Sequence, residues 1–200
     1  YEISQSDWSS DVCSSDLGII KKSHLQWRAQ VVVAENTSGK KRLCVDYSTT
    51  INKFTALDAF PVPHMQSVIN QLHGHRFFTT LDLRSAYHQV PLSEADQPFT
   101  AFEADGNLWQ FTRLPFGVTN GVPVFCRVMK QITTGLEGVV HYFDDVVICG
   151  RSQQEHDTNF QKFITRIRFV IKIRSHNFAN FISTTISIIE TNLRNNIPIT

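Results

Sequence analysis

The chain has 200 residues, 42% of them hydrophobic and 18% charged, enough for one domain or one and a half with a buried core. It contains no run of eighteen apolar residues, so a membrane span, a collagen-like repeat and a wholly disordered chain are excluded. Nineteen Lys and Arg against eighteen Asp and Glu leave a formal charge of +1, without the basic excess that usually marks a nucleic-acid binder. That sum hides an asymmetry, because residues 1–17 hold four acids and no base while residues 166–200 hold five bases against Glu190.

The opening stretch Ser6 to Leu17 is rich in Ser and Asp and has no apolar period, so it is expected to be disordered, or a translated adapter scar without biology. The first residue is Tyr, no signal peptide is legible, and the chain reads as a fragment of something longer. Cys13, Cys44, Cys126 and Cys149 are scattered without zinc-ligand spacing, which indicates neither a zinc site nor a disulfide framework. An intracellular location is expected, in a cytoplasmic particle or the nucleus rather than outside the cell.

From Gly18 to about Thr165 the signals are those of a mixed, α+β domain. Ala29–Ala34 and Arg42–Tyr47 are β-rich runs joined through Asn36-Thr-Ser-Gly39, a predicted hairpin. Pro61 and Pro63 break regular structure before a helix whose Met65, Val68, Ile69 and Leu72 share one face. Phe77–Asp82 reads as a strand, and Phe99–Glu103 with Leu108–Thr112 as a second hairpin turning at Asp105-Gly-Asn107. A cap signal at Thr119 and Asn120 with Pro123 in the first turn opens a helix in which Val122, Phe125, Met129 and Ile132 repeat at helical spacing and which stops near Gly135. Val139–Cys149 is a strand pair folded around Asp144-Asp145, and a last helix starts near Gln153 with Phe160, Phe163, Ile164 and Ile167 as its buried stripe. Beyond Arg166 the composition shifts to Ile, Asn, Ser and Thr, as a β-rich extension or a frameshifted or read-through end would show.

The chemistry concentrates in His141-Tyr-Phe-Asp-Asp-Val-Val-Ile-Cys149. Two adjacent aspartates repel each other, and isolated pairs of this kind are mostly wet turns. Here the flanks are apolar β runs, which confines the wet part to the tip of a core hairpin and calls for something to offset the charge; a divalent cation does so. Successive strand residues face opposite ways, so a third carboxylate should complete the site, and Asp82, ending an apolar strand, is the candidate.

Tyr142-Phe-Asp-Asp145 resembles the Y-x-D-D box of reverse transcriptases. Leu81-Asp-Leu-Arg-Ser-Ala-Tyr-His-Gln89, Leu114-Pro-Phe-Gly-Val-Thr-Asn120 and Arg42-Leu-Cys-Val-Asp-Tyr47 with Asn52-Lys53 beyond it are similar, in the same order, to three motifs of gypsy-type retrotransposon polymerases. The resemblance covers residues 18 to about 165 and implies a fingers-and-palm unit of a pol polyprotein, an antiparallel palm sheet packed on helices, with the chain ending before a thumb. It implies an RNA-directed DNA polymerase that uses two Mg²⁺ ions, with Mn²⁺ as a substitute, held by Asp82, Asp144 and Asp145. It implies partners in a primed RNA or DNA template and deoxynucleoside triphosphates, and none in a membrane. Arg42 matches a triphosphate-binding arginine, Tyr87 an aromatic ring beneath the sugar that excludes a 2′-hydroxyl, and Leu83, Phe116 and Gly117 the rest of the nucleotide pocket.

The chain also departs from the motifs. Glu35, Asn36 and Thr37 stand where the family carries lysines, and Ser48 replaces an arginine. Thr49-Thr-Ile51 holds one residue too many before Asn52-Lys53, which is expected to shift the register of the contacts made from Asn52 onward. These departures and the absent thumb support a second expectation, an inactive retroelement remnant that keeps the palm and binds nucleic acid weakly at most.

Overall fold

The computed structural model describes residues 18–35, 41–83, 85–174 and 182–189. The Ser/Asp-rich opening, the turn at 36–39, the lysine-replacing Asn36 and Thr37 and the final residues of the tail lie outside the described residues. In chain order the elements are β1 (Ile20–Lys22), β2 (Gln30–Glu35), β3 (Lys41–Asp46), α1 (Ile51–Phe54), α2 (Met65–Leu72), β4 (Phe77–Leu83), β5 (Phe102–Ala104) and β6 (Asn107–Phe111). After these come α3 (Gly121–Thr133), β7 (Val139–Tyr142), β8 (Asp145–Gly150), α4 (Gln153–Arg174) and β9 (Ile182–Ile189). The chain divides into two units, one built from residues 1–59 and 87–124 and the other from residues 60–86 and 125–200.

The first unit holds the two hairpins read from the sequence. β2 and β3 pair antiparallel with Val32 opposite Cys44, and β5 and β6 pair with Phe102 opposite Trp109. The β5–β6 turn is Asp105-Gly106, both with positive φ, the turn geometry whose twist matches two antiparallel strands. β1 adds to the outer side of β6, a short edge strand with no clear signal in the sequence. Ile20, Ala29, Tyr47, Phe102, Ala104 and Phe111 form this unit's core, in which the Tyr47 hydroxyl donates to the Thr100 carbonyl at 2.9 Å. Phe99 falls in a 3₁₀ turn, Gln97–Thr100, instead of the expected strand. Pro98 is the reason, since it has no N–H to give a ladder and its fixed φ suits the first turn of a helix.

The second unit is a four-stranded antiparallel sheet in the order β7-β8-β4-β9, with α2 against β7 and α4 against β8. Along β4 the residues alternate: Thr79, Leu81 and Leu83 are buried, Thr80 and Asp82 exposed. β8 matches that alternation, Val146 and Ile148 lying fully buried opposite Leu81 and Thr79. The buried face is the one covered by α4, whose Phe163 and Ile167 are fully buried and whose His156 ring bonds the Thr79 hydroxyl at 2.8 Å. The α4 helix runs without a break across Thr165 and Arg166 to Arg174, and the tail then returns as β9 beside β4.

Two details of this unit differ from the sequence reading. Met65 and Ile69 of α2, expected inward with Val68, are each 52% exposed. The hairpin tip is Phe143-Asp144, one residue earlier than expected, because Asp145 is already the first residue of β8 and faces Tyr142. Close packing of α4 on the sheet depends on Gly138, where φ is +63° and a Cβ would collide with Asn159 Nδ2 and the Cys149 carbonyl oxygen. The Asn159 amide donates to the Cys149 carbonyl at 2.9 Å and ties α4 to the end of β8.

Candidate functional site

The carboxylates are set by strand register. Asp82 of β4 lies directly opposite Asp145 of β8, one step beyond the buried Leu81–Val146 pair. Directly opposed residues present their side chains on the same face with Cβ atoms about 5 Å apart, so the exposed pair is held on the side of the sheet away from α4. A slip of either strand by one residue would turn its own aspartate into the core and its buried hydrophobe outward, which fixes the register energetically. Asp144 sits at the tip beside Asp145, and its carbonyl accepts the Leu83 N–H at 3.3 Å, joining the tip to the end of β4. Phe143, the other tip residue, has φ +52°, an uncommon left-handed conformation for a bulky side chain, of order 1–2 kcal/mol.

All three aspartates are exposed. Among the described residues none of their carboxylates forms an ion pair or a side-chain hydrogen bond. The Asp145 carboxyl is pushed above the usual carboxylate range, first by partial burial and then by the neighbouring charges of Asp144 and Asp82. Negative charge thus gathers at one end of the β4–β8 pair with no neutralising cation among the described residues, a condition a bound metal relieves. Among the described residues no group of three or more His, Cys, Asp or Glu side chains is placed to hold a metal ion, so the register brings Asp82 opposite Asp145 without gathering all three aspartates into one ligand set.

The residues matched to the nucleotide pocket fall in the first unit, apart from Leu83. Tyr87 lies in a 3₁₀ turn, Ala86–Gln89, and its ring packs on Phe116 at 5.0 Å between centroids. Phe116 is 57% exposed and also meets the edge of His88 at 5.1 Å. Burial holds the His88 ring below the ordinary histidine range, so Nδ1–H of the neutral ring donates to the Leu114 carbonyl at 3.2 Å. Gly117 has φ +85°, and a Cβ there would stand 3.1 Å from the Val45 carbonyl oxygen. Leu83 is 2% exposed, so only its backbone is available to a ligand. Arg42 takes its place in β3 opposite Ala34, and its side chain lies outside the described residues.

Several connections were invisible in the sequence. The Asn52 side chain donates to the Gly117 carbonyl and accepts the Thr119 N–H, each at 2.8 Å, so the extra residue before it does not keep it from the Leu114–Asn120 segment. In the second unit Asp157, His156 and Thr79 form a chain: Nδ1–H donates to the Asp157 carboxylate at 2.9 Å and the Thr79 hydroxyl bonds Nε2 at 2.8 Å. The order resembles a hydrolytic triad, but Thr79 is 3% exposed within the sheet and no substrate reaches it. It fastens α4 to β4. Burial and the charge of Glu155 push the Cys149 thiol up to about 11, which leaves it inert at neutral pH. Among the described residues no helix is long and apolar enough to cross a membrane.

Comparison with known proteins agrees with the geometry. Residues 20–174 match the profile of the reverse transcriptase (RNA-dependent DNA polymerase) family. The retrovirus-related Pol polyprotein of the Drosophila melanogaster transposon gypsy is 33% identical over 147 residues, which is 70% of this chain and 14% of that protein. The Pol polyprotein of Drosophila transposon 412 is 34% identical over 136 residues, 66% of this chain and 11% of the relative. The chain thus spans about a seventh or less of the length of these curated relatives. Among solved structures, a foamy viral protease-reverse transcriptase in complex with double-stranded DNA superposes with a TM-score of 0.72 at 22% identity, over 78% of this chain and 27% of that one. The corresponding complex with an RNA/DNA hybrid gives 0.67 at 22% identity, over 78% of this chain and 20% of that one. With four motifs in order and a family match over most of its length, the chain belongs to the reverse transcriptase family, as a domain of the kind carried by gypsy-type retrotransposon Pol polyproteins.

Proposed function

We propose that this chain is the fingers-and-palm part of an RNA-directed DNA polymerase, adding deoxynucleotides to a primer 3′ end on an RNA or DNA template. The first unit is read as fingers and the second as palm. The observation that carries the reading is the register that sets exposed Asp82 opposite exposed Asp145, with exposed Asp144 next to it at the β7–β8 tip.

Two Mg²⁺ ions, for which Mn²⁺ substitutes, would supply activation of the 3′ oxygen and charge neutralisation on the departing pyrophosphate. Asp82 and Asp144 are the principal ligands in this reading and Asp145 assists. The protein's own contribution is position: the β4–β8 ladder holds Asp82 and Asp145 side by side, and the Leu83–Asp144 hydrogen bond ties the tip down. Tyr87 offers a ring edge that a 2′-hydroxyl would strike, which selects deoxynucleotides by exclusion. Phe116 and Gly117 supply an exposed ring and an approachable backbone, and Arg42 a guanidinium fork for phosphate. The partners implied are primed nucleic acid and deoxynucleoside triphosphates, with foamy viral relatives seen on double-stranded DNA and on an RNA/DNA hybrid.

The test is extension of a primed RNA by the purified chain with Mg²⁺ and deoxynucleotides, beside an Asp144→Asn control. Extension by the unmutated chain and none by the variant is the expected result. Absence of extension by a folded unmutated chain overturns the reading in favour of an inactive remnant, and extension retained by Asp144→Asn overturns the ligand assignment.

A further inference from the structure

The Leu114–Asn120 segment carries the exposed Phe116 and Gly117 but has no helix or strand of its own before α3 begins at Gly121. Its backbone is tied at the two ends, where the Leu114 N–H donates to the Val90 carbonyl and the Gly121 N–H to the Val118 carbonyl. Between them one side chain supplies the missing bonds. Asn52 donates through Nδ2 to the Gly117 carbonyl and accepts the Thr119 N–H on Oδ1, both at 2.8 Å. The orientation of the amide is fixed by its partners, since a carbonyl only accepts and an N–H only donates.

Asn52 is itself anchored. Its own N–H donates to the carbonyl of Tyr47, a residue 1% exposed whose hydroxyl bonds the Thr100 carbonyl. Gly117 lies close to the same strand end, a Cβ there meeting the Val45 carbonyl oxygen at 3.1 Å and Tyr47 Cδ2 at 3.6 Å. The segment from 51 to 58 is held in the reverse sense by Asn120, whose Nδ2 donates to the Ala56 carbonyl at 2.8 Å and whose Oδ1 accepts the Asp58 N–H at 3.0 Å. The two asparagines differ in reach: Asn120 holds the strap, while Asn52 touches the residue beside the exposed ring.

We propose that Asn52 is a positioning residue for the incoming deoxynucleotide: its amide fixes the Phe116–Gly117 floor and thereby sets the affinity for the nucleotide and the discrimination of its sugar. The inference rests on the polymerase reading above. Tyr87 stacks on Phe116 and lies against Gly121, where a Cβ would be 3.3 Å from Tyr87 Cε1, so a displaced floor moves the ring that reads the sugar.

The Asn52→Asp variant keeps the shape and the acceptor for Thr119 but loses the donor and sets a carboxylate against the Gly117 carbonyl. The full chain is loaded with RNA and a primer ending in a dideoxynucleotide, and dATP and ATP are titrated in the presence of Mg²⁺, so that binding is read without chemistry. Melting temperature and hydrogen exchange of the 116–120 amides are recorded for the unmutated chain, Asn52→Asp and Asn120→Ala. The expected result is roughly tenfold weaker dATP binding in Asn52→Asp, a smaller ratio between dATP and ATP, and faster exchange in the 116–120 segment. Asn120→Ala is expected to lose comparable thermal stability with less effect on that ratio. The proposal is overturned by dATP binding within about twofold of the unmutated chain, by equal affinity losses in the two variants at equal stability, or by an unmutated chain that binds no dATP. An unmutated chain that binds dATP but fails to extend an ordinary primer contradicts the polymerase reading, and the comparison between variants still decides the role of Asn52.

Discussion

The carboxylate tip and the Leu114–Asn120 segment are both candidate working surfaces, and they are built by opposite means. At the tip the backbone does the positioning, through a ladder in which buried Leu81 and Val146 sit one step behind exposed Asp82 and Asp145. The three carboxylates there have no ion-pair partner among the described residues, and partial burial, followed by the charges of Asp144 and Asp82, pushes Asp145 upward in pKa. In the Leu114–Asn120 segment the backbone is irregular, and side chains from elsewhere in the sequence hold it: Asn52 and the neutral ring of His88. A site of the first kind keeps its place when its functional side chains are changed. A site of the second kind depends on single residues that never touch the substrate.

The largest expected effect breaks the chemistry at the tip and leaves its scaffold intact. Asp82 is exposed and has no ion-pair partner among the described residues, so Asp82→Asn should fold normally while single-nucleotide addition falls by about a thousandfold, the scale of several kcal/mol of lost charge stabilisation. Rapid-quench assays of variant and unmutated chain measure it. In the other region, Gly117→Ala asks an alanine to hold φ +85° with its Cβ 3.1 Å from a carbonyl oxygen, at a cost of roughly 1–3 kcal/mol. A fall of several degrees in melting temperature should accompany it, together with weaker deoxynucleotide binding.

Two smaller effects sharpen the contrast. Thr79→Val leaves His156 Nε2 buried without its partner and should destabilise by about 1–3 kcal/mol in denaturant titrations, with Mn²⁺ and nucleotide affinity unaltered. The pH dependence separates the regions by sign. His88, half-buried under the Leu114–Asn120 segment, is held below the ordinary histidine value by its burial, so the unfolded chain takes up a proton that the folded chain refuses as pH falls below about 6.5, and stability drops there. Asp145 is raised instead, so in the metal-free protein the folded state holds the extra proton and stability is lost as pH rises above about 4. Asp145→Asn should therefore raise the melting temperature of the metal-free protein at neutral pH, while an unchanged or lower value would speak against mutual repulsion at the tip.

The sequence made the tip legible because its signal is local. Apolar β runs on both sides of Asp144-Asp145 say that only the tip is wet, and alternation in Phe77–Leu83 places Asp82 on the open face. The hairpins were equally local, Asp105-Gly106 being a turn by its own chemistry. What escaped is non-local or depends on context. Asn52 and Gly117 are 65 residues apart, and Thr79 and His156 are 77 apart, so no periodicity relates them. Met65 and Ile69 share the helical face of Val68, yet no described element covers them enough to bury them, since an apolar face reports what a helix could bury and not what lies opposite. The tip lies one residue earlier than the dipeptide suggests because the Tyr142–Asp145 pairing depends on register with β4, which the dipeptide does not encode.

The central claim is that Asp82, Asp144 and Asp145 share a divalent cation, and Mn²⁺ affinity reads it directly. Electron paramagnetic resonance of Mn²⁺ titrated into the chain with a dideoxy-terminated primer on RNA and a matching deoxynucleotide should show bound metal that competes with Mg²⁺. In Asp144→Asn that affinity should fall by at least about tenfold, the loss expected for removing a charged ligand. Equal Mn²⁺ affinity in the two proteins, with both folded, would contradict the account.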